Sequence, residues 1–267
     1  MQYKRYQSFD LDEKRPNVLL LGNGILKSCD PTSAKSWEEY IFDIANNSYT
    51  VKAKKQLKNA PYSIQAMTVS GIEDGHRQQQ YIECFPTLTL HDDRLLKDLL
   101  ACPFDAILTT NYSYELENVF LKSYSNLKSK LPYVYCTKEK RDYKRLLHTY
   151  NQIGNSPPIW HIHGELRAKS SIVLTHDEYA RLICDVLNYN KNNQNRYQNF
   201  EEDLKFYSWI DYLIMGNVYV LGQGFDFLNL IFGGYYAAKK EKMLIPEIFT
   251  SSPRLPKAQK KKQSLIL

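Results

Sequence analysis

Short apolar runs alternate with longer amphipathic stretches along this chain. Asn17-Val18-Leu19-Leu20-Leu21 is nearly all apolar and stops at Gly22-Asn23-Gly24, the pattern of a strand buried on both faces that ends in a tight loop. From Ser36 to Ala45, Trp37, Ile41, Ile44 and Ala45 recur at helical spacing, and Ser36 with Glu39 makes a capping-box pattern. Residues 51–100 read as mostly helical, with a break from Gly71 to Gly75 and a clear amphipathic stretch from His91 to Leu100. Phe104–Thr109 predicts a second strand, after which Thr110-Asn111-Tyr112-Ser113 turns the chain into a helix ending near Leu127. Pro158–Gly164 predicts a third strand, Ser171–Leu174 a fourth, and Asp177 to about Asn188 a helix. Asn190–Asn199, rich in Asn and Gln, reads as a surface loop. Glu201–Met215 reads as helical, and Asn217–Leu221 as a last strand running into Gly222-Gln223-Gly224-Phe225-Asp226.

The repeating unit is strand, special loop, helix. Only 11 of 267 residues are glycine, yet Gly22, Gly24, Gly164, Gly222 and Gly224 all fall just past predicted strands. In an open parallel sheet the carboxyl ends of the strands form the ligand crevice. Glycine there supplies positive φ and lets backbone approach phosphate oxygens. The pattern points to a doubly wound α/β fold that binds a nucleotide.

Composition narrows the function. The net charge is +6, from 35 Lys+Arg and 29 Asp+Glu. The eight basic and two acidic residues from Lys239 onward carry all of that excess. The body before them is neutral and gives no general reason to bind a phosphate backbone. The five cysteines are widely spaced with no Cys-x-x-Cys pair, which argues against a disulfide framework or a zinc ribbon. No apolar run is long enough to span a bilayer, and the N-terminal residues lack a signal-peptide core. The expectation is a cytoplasmic protein that meets no membrane, with residues 231–267 a basic, disordered tail.

Candidate chemistry lies at the strand ends. His161 and His163 share one face if the strand runs through both, and no third metal ligand follows at useful spacing. His161 is assigned to a satisfied, partly buried role. His163, beside Gly164, is assigned to proton transfer near neutral pH. Asn111 offers a carboxamide for a water or a ribose hydroxyl, or else caps the following helix. Glu117, a turn further on, reads as a solvated carboxylate on a helix face. Asp226 suits a ribose or an N-cap. There is no Gly-x-Ser-x-Gly elbow and no Gly-x-x-x-x-Gly-Lys-[Ser/Thr] loop, which disfavours an esterase-type hydrolase and ATP hydrolysis.

In order, Leu21-Gly22-Asn23-Gly24, Leu108-Thr109-Thr110-Asn111-Tyr112, Ile159-Trp160-His161-Ile162-His163-Gly164 and Leu221-Gly222-Gln223-Gly224-Phe225-Asp226 resemble the bacterial sirtuin-like (silent-information-regulator-two-like) family. The resemblance spans about residues 15–228, and the Thr-Thr-Asn-Tyr and His-x-His-Gly segments are its specific parts. It implies a Rossmann-like, sirtuin-like sheet with a helical insertion and NAD as substrate, while the cysteine spacing leaves the expectation of no zinc ribbon and no metal. Several members of the family destroy NAD in anti-phage defence, releasing nicotinamide and causing abortive infection.

Carried onto this chain, the resemblance makes Asn111 and His163 catalytic. Gly22, Asn23, Gly24, Thr110, Tyr112, Gly222, Gly224 and Asp226 become NAD-binding residues. Three departures stand out: the absent Cys-x-x-Cys pairs, Ser113 where sirtuins usually carry Asp, and Gly-Asn-Gly in place of Gly-Ala-Gly. The first makes NAD cleavage a better expectation than protein deacetylation. The family also tends to continue with a Trp-Trp-Leu-Leu-like segment. One choice of codons for Phe232-Gly233-Gly234-Tyr235-Tyr236, read two nucleotides later, spells such a segment, so a shifted frame after about Phe227 is expected.

The resulting expectation is an NAD glycohydrolase whose pocket is gated by a homo-oligomer or a partner protein. The rivals are a non-catalytic sensor of NAD or ADP-ribose on the same fold, a truncated and inactive member of the family, and a nucleic-acid-associated protein working through its basic tail.

Overall fold

A computed structural model describes residues 15–44, 57, 60–70, 87–124, 133–135, 147–168, 171–198 and 205–223. Its centre is a six-stranded sheet with β1 (Asn17–Leu21), β2 (Ala106–Thr109), β3 (Tyr133–Tyr135), β4 (Asn151–Ile153), β5 (Ile159–His161) and β6 (Asn217–Leu221) in the order β3-β4-β5-β2-β1-β6. The four strands β5-β2-β1-β6 are parallel, whereas β3 and β4 join antiparallel at one edge. The sheet is therefore mixed, within the Rossmann-like α/β class expected. Register aligns the carboxyl ends: Leu21 pairs with both Thr109 and Leu221, and Thr109 with His161. The chain goes from β1 to β2 and β5 on one side and returns to β6 on the other. That reversal makes the β1–β6 boundary the topological switch point.

Alternation along β1 builds two cores. Val18 and Leu20 face one side with Leu108, Trp160, Trp209 and Leu213. Leu19 and Leu21 face the other with Ile107, Leu26, Leu96 and Leu116. Helices α1 (Gly24–Cys29), α4 (Arg94–Leu100) and α5 (Glu115–Tyr124) cover the second side, while α6 (His176–Gln198) and α7 (Trp209–Met215) cover the first. The insertion between β1 and β2 adds α2 (Trp37–Ile44) and α3 (Tyr62–Ser70). Tyr40, Ile41 and Ala66 from it join Tyr112, Ile172 and Leu174 in a third apolar cluster. This cluster roofs the segments that follow β2 and β5. The predicted capping box of α2 forms, Ser36 N–H donating to the Glu39 carboxylate and Glu39 N–H to Ser36 Oγ.

Several expectations need correction. The third strand stops at His161, and residues 162–164 turn, with Gly164 N–H bonding the His161 carbonyl at 2.9 Å. The two histidines therefore do not share a strand face. Ser171–Leu174 is not a strand. Its backbone is satisfied by loop partners instead, Val173 N–H by the His163 carbonyl and Leu174 N–H by Glu178. Asn190–Gln198 is not a loop but the second half of α6. Tyr189 and Tyr197 anchor it by donating to the buried Asp211 carboxylate, and such contacts outweigh the modest helix propensity of Asn. Residues 205–208 are not helical, because Ser208 caps α7 and Asp211 bonds back to the Ser208 N–H. The short strands β3 and β4 carried no readable pattern. The Gly71–Gly75 break, Gly224, Asp226 and the tail 231–267 lie outside the described residues.

Candidate active site at the strand ends

Because the four parallel strands end level, their following loops meet along one edge. At the switch point the two glycine loops interlock. Gly22 N–H donates to the Leu221 carbonyl at 2.9 Å, and Gly24 N–H to the Gly222 carbonyl at 2.8 Å. A Cβ on Gly22 would lie 2.5 Å from the Gly222 carbonyl oxygen, and one on Gly24 2.7 Å from the same atom. Gly222 itself has φ +67°, and its Cβ would lie 2.4 Å from Ile25 N. The close approach these glycines allow is thus between the two loops themselves. Gln223 lies over this contact and donates from Nε2 to Thr110 Oγ1 at 3.0 Å. Asn23 donates to the Lys35 carbonyl at 2.6 Å.

The neighbouring β2 and β5 loops carry Asn111 and His163, which are 6% and 3% exposed. Asn111 Oδ1 and His163 Nε2 are buried with no hydrogen-bond partner. Each unpaired buried polar atom costs roughly 1–3 kcal/mol, so each is a group that a polar ligand can satisfy. Asn111 does not cap α5, which begins only at Glu115. Burial without a countercharge pushes the His163 imidazole down to about 3, so it is neutral at physiological pH. Its Nδ1 lies 3.3 Å from the Tyr179 hydroxyl. When Nδ1–H donates to Tyr179, Nε2 presents a lone pair to the site.

Below this pair lies a buried polar chain. His161 Nδ1 meets the Asn111 carbonyl at 2.7 Å, and its Nε2 meets Glu117 Oε1 at 2.8 Å. Asn151 Nδ2 donates to Glu117 Oε1 at 2.8 Å and to Glu165 Oε2 at 3.0 Å. Burial pulls the His161 pKa down, but the Glu117 charge and its hydrogen bonds outweigh that and leave it raised. Burial likewise pushes Glu117 up, while His161 and the Asn151 amide more than reverse it, leaving it lowered. Both directions describe an ion pair. His161 has the satisfied role expected, but Glu117 is not a solvated carboxylate. It is 0% exposed, and its charge is tolerated there because His161 and Asn151 pair and hydrogen-bond it.

Tyr112 and Thr110 are buried beside these groups, but their hydroxyls are already in use. Tyr112 donates to the Val173 carbonyl at 2.6 Å, and Thr110 accepts from Gln223. Ser113 Oγ donates to Glu115 at 2.5 Å. The structure therefore gathers Gly22, Asn23, Gly24, Thr110, Asn111, Tyr112, His163 and Gly222 along one edge. Sequence reasoning missed Tyr179, Asn151 and Gln223. For Glu117 a signal existed, since it stands three residues from both Tyr114 and Phe120, on the inward side of α5. Among the described residues no group of three or more His, Cys, Asp or Glu side chains is placed to hold a metal ion, and no helix is long and apolar enough to cross a membrane.

Residues 105–208 are similar to the SIR2-like domain family. The matched stretch contains both specific segments, Thr-Thr-Asn-Tyr and His-x-His-Gly, while the Gly22–Gly24 and Gly222 loops lie outside it. No curated protein matches the chain.

Proposed function

We propose that this protein hydrolyses NAD to nicotinamide and ADP-ribose. The observation that carries the reading is the pair of buried, unpartnered acceptor sites, Asn111 Oδ1 and His163 Nε2, beside the switch point of a sheet whose residues 105–208 are similar to a SIR2-like domain. NAD lies across the strand ends with its ribose toward Asn111. The bond from ribose C1 to nicotinamide breaks, its electron pair leaving with neutral nicotinamide, and positive charge builds on the sugar. Asn111 holds the water that attacks C1. His163 Nε2 takes the proton that water releases and passes it to solvent. A weak base suffices here, because attack on an electron-poor carbon acidifies the water.

The pyrophosphate fits the Gly22–Gly24 side once the Gly222 carbonyl leaves the Gly24 amide. Closure by the Gly222 loop is then the gate that spares cellular NAD until a partner or an oligomer opens it. An activity held back in this way suits abortive infection in anti-phage defence. That same closed contact, with Ser113 committed to Glu115, favours a second reading in which the chain binds NAD or ADP-ribose as a sensor and does not turn it over. The test is chromatography of NAD incubated with the purified full chain, alone and with extract of phage-infected cells. Hydrolysis predicts nicotinamide and ADP-ribose in equal amounts with no acetylated peptide required. NAD that binds but stays intact under both conditions overturns hydrolysis in favour of the sensor.

A further inference from the structure

Asn111 is held in place through its own carbonyl. That oxygen is 2.7 Å from His161 Nδ1, and the opposite ring nitrogen is 2.8 Å from Glu117 Oε1. A carbonyl can only accept a hydrogen bond, and so can an ionised carboxylate. His161 therefore satisfies both only with a proton on each nitrogen, which links Glu117 on α5 to the β2 loop through one rigid ring. The groups facing this ring come from every element around it. Asn151 on β4 donates to Glu117 and to Glu165, and Tyr114 packs on the imidazole at 5.5 Å between centroids. The Arg167 guanidinium lies 4.8 Å from the Tyr114 ring centre. Glu115 stands one residue on, turned to Leu88 N–H and Ser113. Glu117, Asn151, His161 and Glu165 are each 5% exposed or less.

Such a buried pair is an expensive way to gain stability, since apolar residues of similar volume often do as well or better. What it offers is a fixed direction. We infer that Glu117 is a positioning residue that acts through His161: it orients the ring whose Nδ1–H grips the Asn111 carbonyl, and so sets where the Asn111 carboxamide points. Neither Glu117 nor His161 touches substrate. This inference rests on the reading of Asn111 as the holder of the attacking water. Thr109 Oγ1 adds a second restraint by accepting the Asn111 N–H at 3.1 Å, so both backbone polar groups of Asn111 are held.

The test has two arms. In the first, NAD hydrolysis by the full chain is measured for wild type, Glu117→Gln, Asn111→Ala and the double variant. Glu117→Gln should lower kcat about 100-fold, the cost of misplacing a group near the reacting atoms, with KM unchanged. The double variant should be no slower than Asn111→Ala alone, because Glu117 acts only through Asn111. Additive losses, or an unchanged kcat in a folded Glu117→Gln protein, overturn the inference.

The second arm needs neither turnover nor the variant. In wild-type protein with 15N-labelled histidine and 13C-carbonyl-labelled asparagine, NMR at pH 7.5 should find both His161 nitrogens protonated, with Nδ1–H coupled across its hydrogen bond to the Asn111 carbonyl. A bare Nδ1 overturns the inference whatever the activity. An inert protein that shows this coupling supports the hold on Asn111 and refutes hydrolysis, so the two failures are distinguishable.

Discussion

Acidification should destabilise this protein through His163. The imidazole is 3% exposed, and burial alone pushes its pKa from the ordinary 6.5 to about 3. The unfolded chain takes up a proton near pH 6.5 and the folded chain does not until near pH 3. Between those values the unfolded state binds more protons, so stability rises with pH. The contribution is complete above the unfolded pKa and is lost as pH falls below it. At pH 5 the loss is about 2 kcal/mol, and its full extent near pH 3 is of order 5 kcal/mol.

Other groups titrate over part of this range. Glu117, with its lowered pKa, stabilises above its unfolded value of about 4.5 and loses that as pH falls through its folded one. His161, with its raised pKa, stabilises below pH 6.5 and loses that as pH rises through its folded value. Both remain in His163→Gln, so a comparison with that variant cancels them. Urea unfolding at pH 7.5 and pH 5 gives a pH-dependent change for each protein. The wild-type change should exceed the variant's by about 2 kcal/mol. Equal changes would mean that His163 is hydrated or paired in the folded state and is not the neutral acceptor described above.

Two further substitutions probe the frame around the site. Gly164 has φ +90°, and a Cβ there would lie 2.1 Å from the Ser171 carbonyl oxygen. Gly164→Ala should therefore cost roughly 3 kcal/mol or more by urea unfolding, and a loss under 1 kcal/mol would show that the 161–164 turn is not built as described. Tyr179→Phe removes the hydroxyl that selects the His163 tautomer. It should lower kcat roughly tenfold and, by leaving the buried His163 Nδ1 unpaired, cost about 1–3 kcal/mol by urea unfolding; an unaltered kcat would remove Tyr179 from the site.

The parts of the fold legible in the sequence were those whose burial leaves a local trace. β1 and β2 are apolar nearly throughout their buried lengths because helices cover both their faces, and the half-buried edge strand β6 carries a similar apolar run. Tyr133–Tyr135 and Asn151–Ile153 are too short to show any period. The second half of α6 was hidden because its anchor, Asp211, lies beyond the helix end. Asn111 and His163 were read from their places after strands. Glu117 was misread because its partners, His161 and Asn151, stand 44 and 34 residues away, and a lone glutamate in a sequence does not show a distant countercharge. The glycines were recognised as points of close approach, but the backbone that approaches is the other glycine loop.

If Asn111 and His163 form one site that cleaves NAD, losing either side chain must stop nicotinamide release. The most direct measurement is the rate of nicotinamide release by purified wild type, Asn111→Ala and His163→Ala under the same conditions, each variant first checked for wild-type unfolding at pH 7.5. The account predicts release by wild type and its loss in both variants, by about 100-fold or more. Release that survives either substitution would place the chemistry elsewhere in the molecule and contradict the account.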